Sequence, residues 1–341
     1  MPTYNSEKFI KTAVDSVINQ TIGFENIELI IIDDNSNDRT QDILKEFSKK
    51  YGNIQIHFLK ENSGTPSKPR NIGIENSSSD YIMFLDQDDA YEPGICEKLY
   101  KTITKYNTDV VNCNFYNTNL GKKEKSSILN AKSQTINSPN PLIFKSISEN
   151  YIDLHPSILV WDKIFNKKFI VDNKIKFPDY CAHEDTIFSF IVFMNLKQGI
   201  IFLNDFYGYS FNYNEDSESR LIPKHYIFNL IKGLDYFNNF LKSKHINKHD
   251  YLLDYLVSVT FSFILNSYTP DINSVKEIYI KFKEYLKNYN LFNRLPVPIY
   301  RNIFANILIK LISFNPYFLF FILKTYKIPK MIKNLILELK F

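Results

Sequence analysis

The segment IELIIIDDNSNDRTQDILKEFSKKYGNIQIHFL, residues 27–59, decides the fold class of this chain. Its first part, IELIII, is a nearly continuous apolar run, which is typical of a parallel strand covered on both faces. RTQDILKEFSKKYG has helical periodicity and ends in glycine, and IQIHFL has strand character again. The order of strand, helix and strand predicts an α/β fold.

The same alternation continues along the first half of the chain. YIMFL at 81–85 and DVVNCNFY at 109–116 are predicted strands, and RNIGIENS and PGICEKLYKTITKY are the predicted helices that precede them. We therefore expect an α/β fold with a largely parallel sheet flanked by helices.

Polar clusters follow consecutive predicted strands at their carboxyl ends. Asp33–Asp34 follows the first, ENSGTPSKPRN at 61–71 follows the second, and DQDD at 86–89 follows YIMFL. Ligands of open α/β sheets gather at the carboxyl ends of the strands. These clusters therefore predict one binding site along that edge.

Composition indicates a globular protein that is kept in a reducing compartment. The chain has 341 residues, 44% hydrophobic and 23% charged, which is enough for one large domain or two. Cys96, Cys113 and Cys181 are far apart and form no CxxC pair, which argues against disulfides and a zinc site. No secretory signal opens the chain, so we expect a cytoplasmic protein. A net charge of +4 is too small to indicate a nucleic-acid partner.

The character of the sequence changes near residues 215–225. Beyond them the chain has long helical segments rich in tyrosine and phenylalanine, with few glycines. We predict two domains, an α/β domain at 1–220 and a mainly helical region at 221–341.

Asp86, Asp88 and Asp89 crowd like charges onto one strand end, which costs stability unless a cation lies nearby. Asp86 and Asp88 form a D-x-D pair of hard oxygen ligands, which suits Mg²⁺ or Mn²⁺ shared with substrate phosphates. The alternative is a solvated acidic turn that caps the helix near Pro93.

Other polar positions support functional and structural interpretations alike. Asp34 fits a ligand contact or an ordinary Asx-turn and helix cap. Arg70 follows a glycine-containing loop and suits a phosphate, or it belongs to a surface loop that starts a helix. Glu184 and Asp185 open an apolar helix, where carboxylates favour the helix N-terminus, and either could act as a general base.

Six motifs together make the chain resemble the family 2 glycosyltransferases of GT-A fold, a Rossmann-like α/β architecture. The resemblance covers roughly residues 1–215, and the NSGTPSKPRN form is similar to that of bacterial enzymes that decorate wall teichoic acid or build capsular polysaccharide. The motifs are PTYN at 2–5, IIDDNSNDRT at 31–40, NSGTPSKPRNIG at 62–73, YIMFLDQDD at 81–89, VWDKIFNKKFI at 160–170 and HEDTIF at 183–188.

The resemblance implies an inverting, metal-dependent transfer of a sugar from a nucleotide-sugar such as a UDP-sugar. The acceptor would be a hydroxyl of a bacterial glycan, a teichoic-acid-like polymer or a lipid-linked glycan. The implied roles are Pro2, Tyr4 and Asp34 around the base, Arg70 near the diphosphate, Asp86 on the ribose or the metal, Asp88 on the metal, Asp185 as catalytic base and Glu184 as its orienting neighbour.

The sequence departs from the family pattern at its start. Members normally begin with a strand before PTYN, but here Met1 stands directly before it, so the first strand is expected to be almost wholly missing. Two alternatives therefore stay open. One is a truncated, non-catalytic relative that acts as a scaffold, and the other is a metal-dependent nucleotidyltransferase.

The segment 300–341 combines apolar helical stripes with seven Lys/Arg and one Glu, a balance of +6. Its longest uncharged span is too short to cross a bilayer. It predicts either a peripheral helix on the inner face of an anionic membrane or a surface that packs within the protein or forms a homo-oligomer.

Overall fold

The structure is a computed structural model that describes residues 1–119, 122–126, 142–144, 158–179, 183–212, 226–244 and 280. Its strands are β1 Pro2–Thr3, β2 Leu29–Asp33, β3 Ile54–Phe58, β4 Tyr81–Met83, β5 Ala90–Tyr91, β6 Val110–Asn119, β7 Lys122–Ser126, β8 Leu142–Phe144, β9 Lys163–Asn166 and β10 Ile200–Asn212. Its helices are α1 Ile10–Ile18, α2 Thr40–Lys50, α3 Ser67–Asn76, α4 Ile95–Tyr106, α5 Lys167–Asp172, α6 Glu184–Asn195 and α7 Tyr226–Ser243, with a 3₁₀ turn at Phe24–Asn26.

The predicted strand–helix–strand segment forms the first sheet. β1, β2 and β3 lie side by side in that order, and both pairs are parallel. All five residues of β2 are buried, as its apolar sequence predicted. The polar residues that follow these strands, among them Asp34, therefore lie at one edge.

The second sheet corrects the prediction of a largely parallel arrangement. Its order is β4-β9-β6-β10-β5, with β7 on β6 and β8 on β10, and only β6 and β10 pair in parallel. β9, from the segment VWDKIFNKKFI, lies antiparallel between β4 and β6. Because β9 lies between them, β4 and β6 are not paired, although the sequence predicted them as neighbouring parallel strands.

The helices cover the sheets with faces that the sequence pattern determines. α1 buries Ile10, Ala13, Val14 and Val17, which recur at helical spacing on one face. α4 ends at Asn107, whose φ of 47° is the left-handed conformation that commonly terminates a helix. In α6 every residue of the stretch 186–193 is buried, so this helix lies inside the protein.

The chain divides into two compact units, Met1–Ser217 and Glu218–Phe341, close to the boundary expected from composition. In the second unit the structure describes α7, and the basic segment 300–341 lies outside the described residues. None of the described helices combines the length and the apolar character that a bilayer crossing requires.

A buried carboxylate fixes the two parallel strands of the second sheet at their first residues. Asp109 directs Oδ2 at the backbone N–H groups of Lys197, Gln198 and Gly199, at 2.6, 2.6 and 3.0 Å. Thr108 adds a bond from its hydroxyl to the carbonyl of Gly199. Charged acceptors make strong hydrogen bonds, so Asp109 sets the register at which β10 starts.

We expect Asp109→Asn to lower the free energy of unfolding by about 1–3 kcal/mol, because a neutral amide binds the three N–H groups more weakly. Urea denaturation followed by the fluorescence of Trp161 reports on the first unit, since the chain has one tryptophan and it is buried there. The matched control is Asp42→Asn at an exposed surface pair, which should change stability by less than about 0.5 kcal/mol. Equal stabilities of the two variants would contradict the role of Asp109.

Candidate active site

A tight turn after β4 carries the three neighbouring carboxylates. The buried residues Phe84 and Leu85 lead into it, and a hydrogen bond of 3.2 Å from the N–H of Asp89 to the carbonyl of Asp86 closes it. Asp86 and Asp88 are half-buried, whereas Asp89 is buried. The first two carboxylates are therefore the ones that solvent or a ligand can reach.

Asp89 belongs to the interior of the second sheet. Its Oδ2 accepts a hydrogen bond from the hydroxyl of Tyr209, and its Oδ1 accepts one from the backbone N–H of Asn212, both at 2.7 Å. Burial, together with the negative charges of Asp86 and Asp88, raises the pKa of Asp89 well above its ordinary value. The three carboxylates thus occupy two different environments.

Arg70, in the first turn of α3, joins two carboxylates that are far apart in the sequence. Its Nη2 donates to Oδ1 of Asp86 at 2.7 Å, and its Nη1 donates to Oε1 of Glu184 at 2.8 Å. The side chain is 5% exposed, and its guanidinium lies 5.3 Å from the ring centre of Phe177. Burial works against the charged form, yet Asp86 and Glu184 together hold the pKa of Arg70 above its ordinary value.

Glu184 and Asp185 open α6 beside this arginine. The preceding residue, His183, has a φ of 58°, a left-handed conformation that is uncommon for a residue with a side chain. Oδ1 of Asp185 accepts a hydrogen bond of 2.6 Å from the N–H of Thr186, and Asp185 is half-buried. Helix capping accounts for that contact but not for the ion pair between Glu184 and Arg70.

Burial, with the adjacent charge of Asp185, raises the pKa of Glu184 to about 7, although Arg70 acts in the opposite direction. Burial is the larger cause of this shift, and the negative charge of Asp185 adds to it. Arg70 faces Asp86 and Glu184 directly, while Asp185 lies within reach of its field. A single guanidinium does not neutralise this group of carboxylates.

The residues expected around a nucleotide base meet at the edge of the first sheet. Pro2 is buried and pairs with Ile32 of β2, and Tyr4 is 41% exposed. Asp34 accepts hydrogen bonds from the N–H of Ser63 at 2.9 and 3.0 Å and from its hydroxyl at 2.9 Å. Asp34 therefore ties the strand end to the ENSG loop.

Gln87 links this edge to the carboxylate turn, because its Oε1 accepts a hydrogen bond of 2.6 Å from the N–H of Tyr4. Tyr209 and Asn212 hold the turn and Gln87 lies within it, yet no sequence motif singled out any of the three. Gln87 lies between Asp86 and Asp88. The other two lie more than 100 residues further on, in a strand without a motif, so proximity in space was the only available signal.

The donor set suits Mg²⁺ or Mn²⁺ bound together with a phosphate ligand. Oδ1 of Asp86 contacts Arg70, and among the residues that the structure describes nothing donates to its Oδ2. No group of three or more His, Cys, Asp or Glu side chains in the described part of the chain is arranged to hold a metal by itself. Mg²⁺ at phosphate-transfer sites is usually bound by one or two carboxylates and by substrate phosphates, and Asp86 and Asp88 would supply the two carboxylates.

Comparison with known proteins gives the family. The model of glycosyl transferase family 2 matches residues 1–172, just over half of the 341 residues. The chain belongs to this family. The match includes the carboxylate turn and Arg70 and ends before Glu184 and Asp185.

Two similar proteins are, by name, glycosyltransferases of poly(ribitol phosphate). The chain is similar to a poly(ribitol-phosphate) beta-glucosyltransferase of Bacillus spizizenii, 31% identical over 225 residues, which are 64% of this chain and 32% of that protein. It is also similar to the poly(ribitol-phosphate) beta-N-acetylglucosaminyltransferase TarP of Staphylococcus aureus, 34% identical over 58% of this chain and 57% of TarP. The chain thus matches about a third of one relative and just over half of the other.

Solved structures show the same fold. The crystal structure of residues 1–349 of Staphylococcus aureus TarS in complex with UDP-GlcNAc aligns with a TM-score of 0.66 and 20% identity, covering 96% of this chain and 90% of that one. The corresponding UDP complex aligns with a TM-score of 0.62. The GT-A type fold expected from the sequence is confirmed.

We expect the stability difference between Glu184→Gln and the unmodified protein to depend on pH. A folded-state pKa of about 7, above the ordinary value of 4.5, means that Glu184 contributes stability below pH 4.5 that is lost as the pH rises through about 7. The variant lacks this loss, so its free energy of unfolding should gain on that of the unmodified protein by on the order of 2 kcal/mol between pH 5 and 8.

Urea denaturation at several pH values measures this difference, with the exposed Glu46→Gln as matched control. A difference that stays constant between pH 5 and 8 would mean that Glu184 is ionised throughout this range, so that Arg70 outweighs its burial.

Proposed function

We propose that this chain is an inverting glycosyltransferase that moves a sugar from a nucleotide-sugar, a UDP-sugar, to a hydroxyl of a bacterial cell-surface glycopolymer. The family membership supports the reaction class. The names of the similar proteins support the acceptor, and the UDP-GlcNAc complex of TarS supports the donor.

The observation that carries this proposal is the double ion pair of Arg70. It holds Asp86, next to the predicted metal ligand, and Glu184, next to the predicted base, on one guanidinium. One buried cation that pairs with both carboxylates is expected if the carboxylate turn and the start of α6 belong to one site. Arg70 was expected near the diphosphate, but its contacts favour a different role, in which it positions the two carboxylates relative to each other.

In the proposed reaction the acceptor hydroxyl oxygen attacks the anomeric carbon as the bond from that carbon to the diphosphate oxygen breaks. Asp185 takes the hydroxyl proton, and the nucleoside diphosphate leaves with the bonding electrons. Attack opposite to the leaving group inverts the anomeric configuration. Glu184, held by Arg70, orients the first turn of α6 on which Asp185 stands.

Asp86 and Asp88 would hold Mn²⁺ or Mg²⁺, whose charge stabilises the departing diphosphate when it is bound. The protein supplies the rest of the donor site from the first sheet. Tyr4 is exposed enough to stack on a base, the buried Pro2 precedes it in β1, and Asp34 fixes the loop that follows β3. Gln87 connects Tyr4 to the carboxylate turn, so that the base and the diphosphate would be held in fixed positions relative to each other.

The acceptor would be an anionic polymer of the teichoic-acid type or its lipid-linked precursor. Contact with a membrane, or with a second copy of the chain, is assigned to the basic segment 300–341, which lies outside the described residues.

We expect the purified chain to transfer or hydrolyse sugar from a member of a panel of UDP-sugars, with poly(ribitol phosphate) as acceptor and Mn²⁺ present. Asp88→Asn should lower the rate by roughly 10²-fold or more, because it removes one carboxylate from the proposed metal site. Asp42→Asn is the control. Near-normal turnover by folded Asp88→Asn would contradict the metal assignment, and release of a sugar 1-phosphate in place of UDP would favour a nucleotidyltransferase.

We expect Asp185→Asn to lower kcat by about 10²- to 10⁴-fold while UDP binding stays within about twofold, since a general base acts on the acceptor. Steady-state kinetics and calorimetric titration with UDP and Mn²⁺ measure the two effects separately. If UDP affinity falls in parallel with kcat, Asp185 acts through the structure of α6 and not as the base.

A further inference from the structure

Asp89, the third carboxylate of the DQDD turn, takes no part in the proposed reaction, although its charge repels its neighbours. It is 2% exposed, and each of its oxygens already accepts a hydrogen bond from β10. It therefore points away from the side on which Asp86 and Asp88 are accessible. Its position needs an explanation other than metal binding.

The two residues that hold Asp89 also hold the backbone of its neighbours. The hydroxyl oxygen of Tyr209 accepts a hydrogen bond of 3.4 Å from the N–H of Asp86. The side-chain amide of Asn212 donates to the carbonyl of Asp88 at 2.7 Å. Tyr209 and Asn212 thus each make one contact to Asp89 and one to a residue of the predicted metal site.

Buried aromatic rings pack behind these contacts. Tyr209 is fully buried and stacks on Trp161, with ring centres 4.1 Å apart and planes at 17°. Its ring also meets that of Tyr91 edge-on, and the hydroxyl of Tyr91 donates to the carbonyl of Phe84 at 2.8 Å. β5 pairs with β10 immediately after the turn, so the turn is fixed on both sides.

We propose that Asp89 is a positioning residue, which fixes the backbone of Asp86 and Asp88 against β10 and thereby sets the affinity of this site for a metal–nucleotide pair without touching either. The inference rests on the proposed function. A carboxyl group suits the task because each of its two oxygens accepts one hydrogen bond, from Tyr209 and from the N–H of Asn212. An asparagine has the same size but offers one acceptor, so it loses one of the two contacts.

The test compares Asp89→Asn, Tyr209→Phe and the double variant by calorimetric titration with UDP in the presence of Mn²⁺. Loss of groups that orient metal ligands typically costs 10- to 100-fold in affinity, and we expect that range for Asp89→Asn. Because both residues belong to one contact, the double variant should bind little more weakly than the worse single variant.

Asp109→Asn is the matched control. Asp109 is also a buried carboxylate that accepts backbone hydrogen bonds next to β10, but at the opposite end of the strand. It should lower stability and leave UDP affinity unchanged. Hydrogen exchange gives a readout without ligand, in which the amides of residues 86–91 exchange faster in Asp89→Asn but not in Asp109→Asn.

The outcomes separate this inference from the proposed function. If Asp88→Asn weakens UDP binding with Mn²⁺ and folded Asp89→Asn does not, the positioning role is overturned alone. It is overturned equally if Asp109→Asn weakens binding as much as Asp89→Asn. If Asp88→Asn binds normally, the metal site falls and the role of Asp89 with it. Should Asp89→Asn fail to fold, Tyr209→Phe decides, and normal UDP affinity in that variant rejects the proposal.

Discussion

The ion pairs of Arg70 are the interaction on which the arrangement of the first unit depends. A buried guanidinium is costly unless its charge is matched, and breaking such a pair leaves an uncompensated charge inside the protein. Arg70 is matched by Asp86 and Glu184, which belong to different parts of the chain. The fold must therefore bring α3, the carboxylate turn and α6 to one place, whichever sheet each element packs on.

The same contacts leave the site short of positive charge. Arg70 pairs with Asp86 and Glu184 and lies in the field of Asp185, and burial together with the charge of Asp185 raises the pKa of Glu184. A divalent cation and a diphosphate would change this balance together. The electrostatics therefore favour a site that is complete only with its ligand, as expected where charge develops during a reaction.

β10 connects the stability of the second sheet to the geometry of the site. At its first residues it is fixed by Asp109, and at its last residues Tyr209 and Asn212 hold the carboxylate turn. The strand is long and its pairing with β6 shifts register between Leu203 and Tyr209. Bulges of this kind re-aim the residues that follow them, here toward the turn that carries Asp86 and Asp88.

The sequence by itself determined the strand–helix–strand unit of the first sheet, the buried character of β2 and the family. Continuous apolar runs, helical spacing and polar residues at strand ends are formed by residues that are close in the sequence, so they can be recognised without the structure. It also predicted that Asp34, Asp86 and Asp88 follow the carboxyl ends of strands, although β4, which precedes Asp86 and Asp88, belongs to the second sheet. The mixed second sheet was not predictable, since β9 enters between β4 and β6 from a distant segment. The pairing of Arg70 with Glu184 and the different environment of Asp89 were decided only by the tertiary structure. Burial and contact between residues more than 100 positions apart set both, and no local pattern in the sequence encodes them.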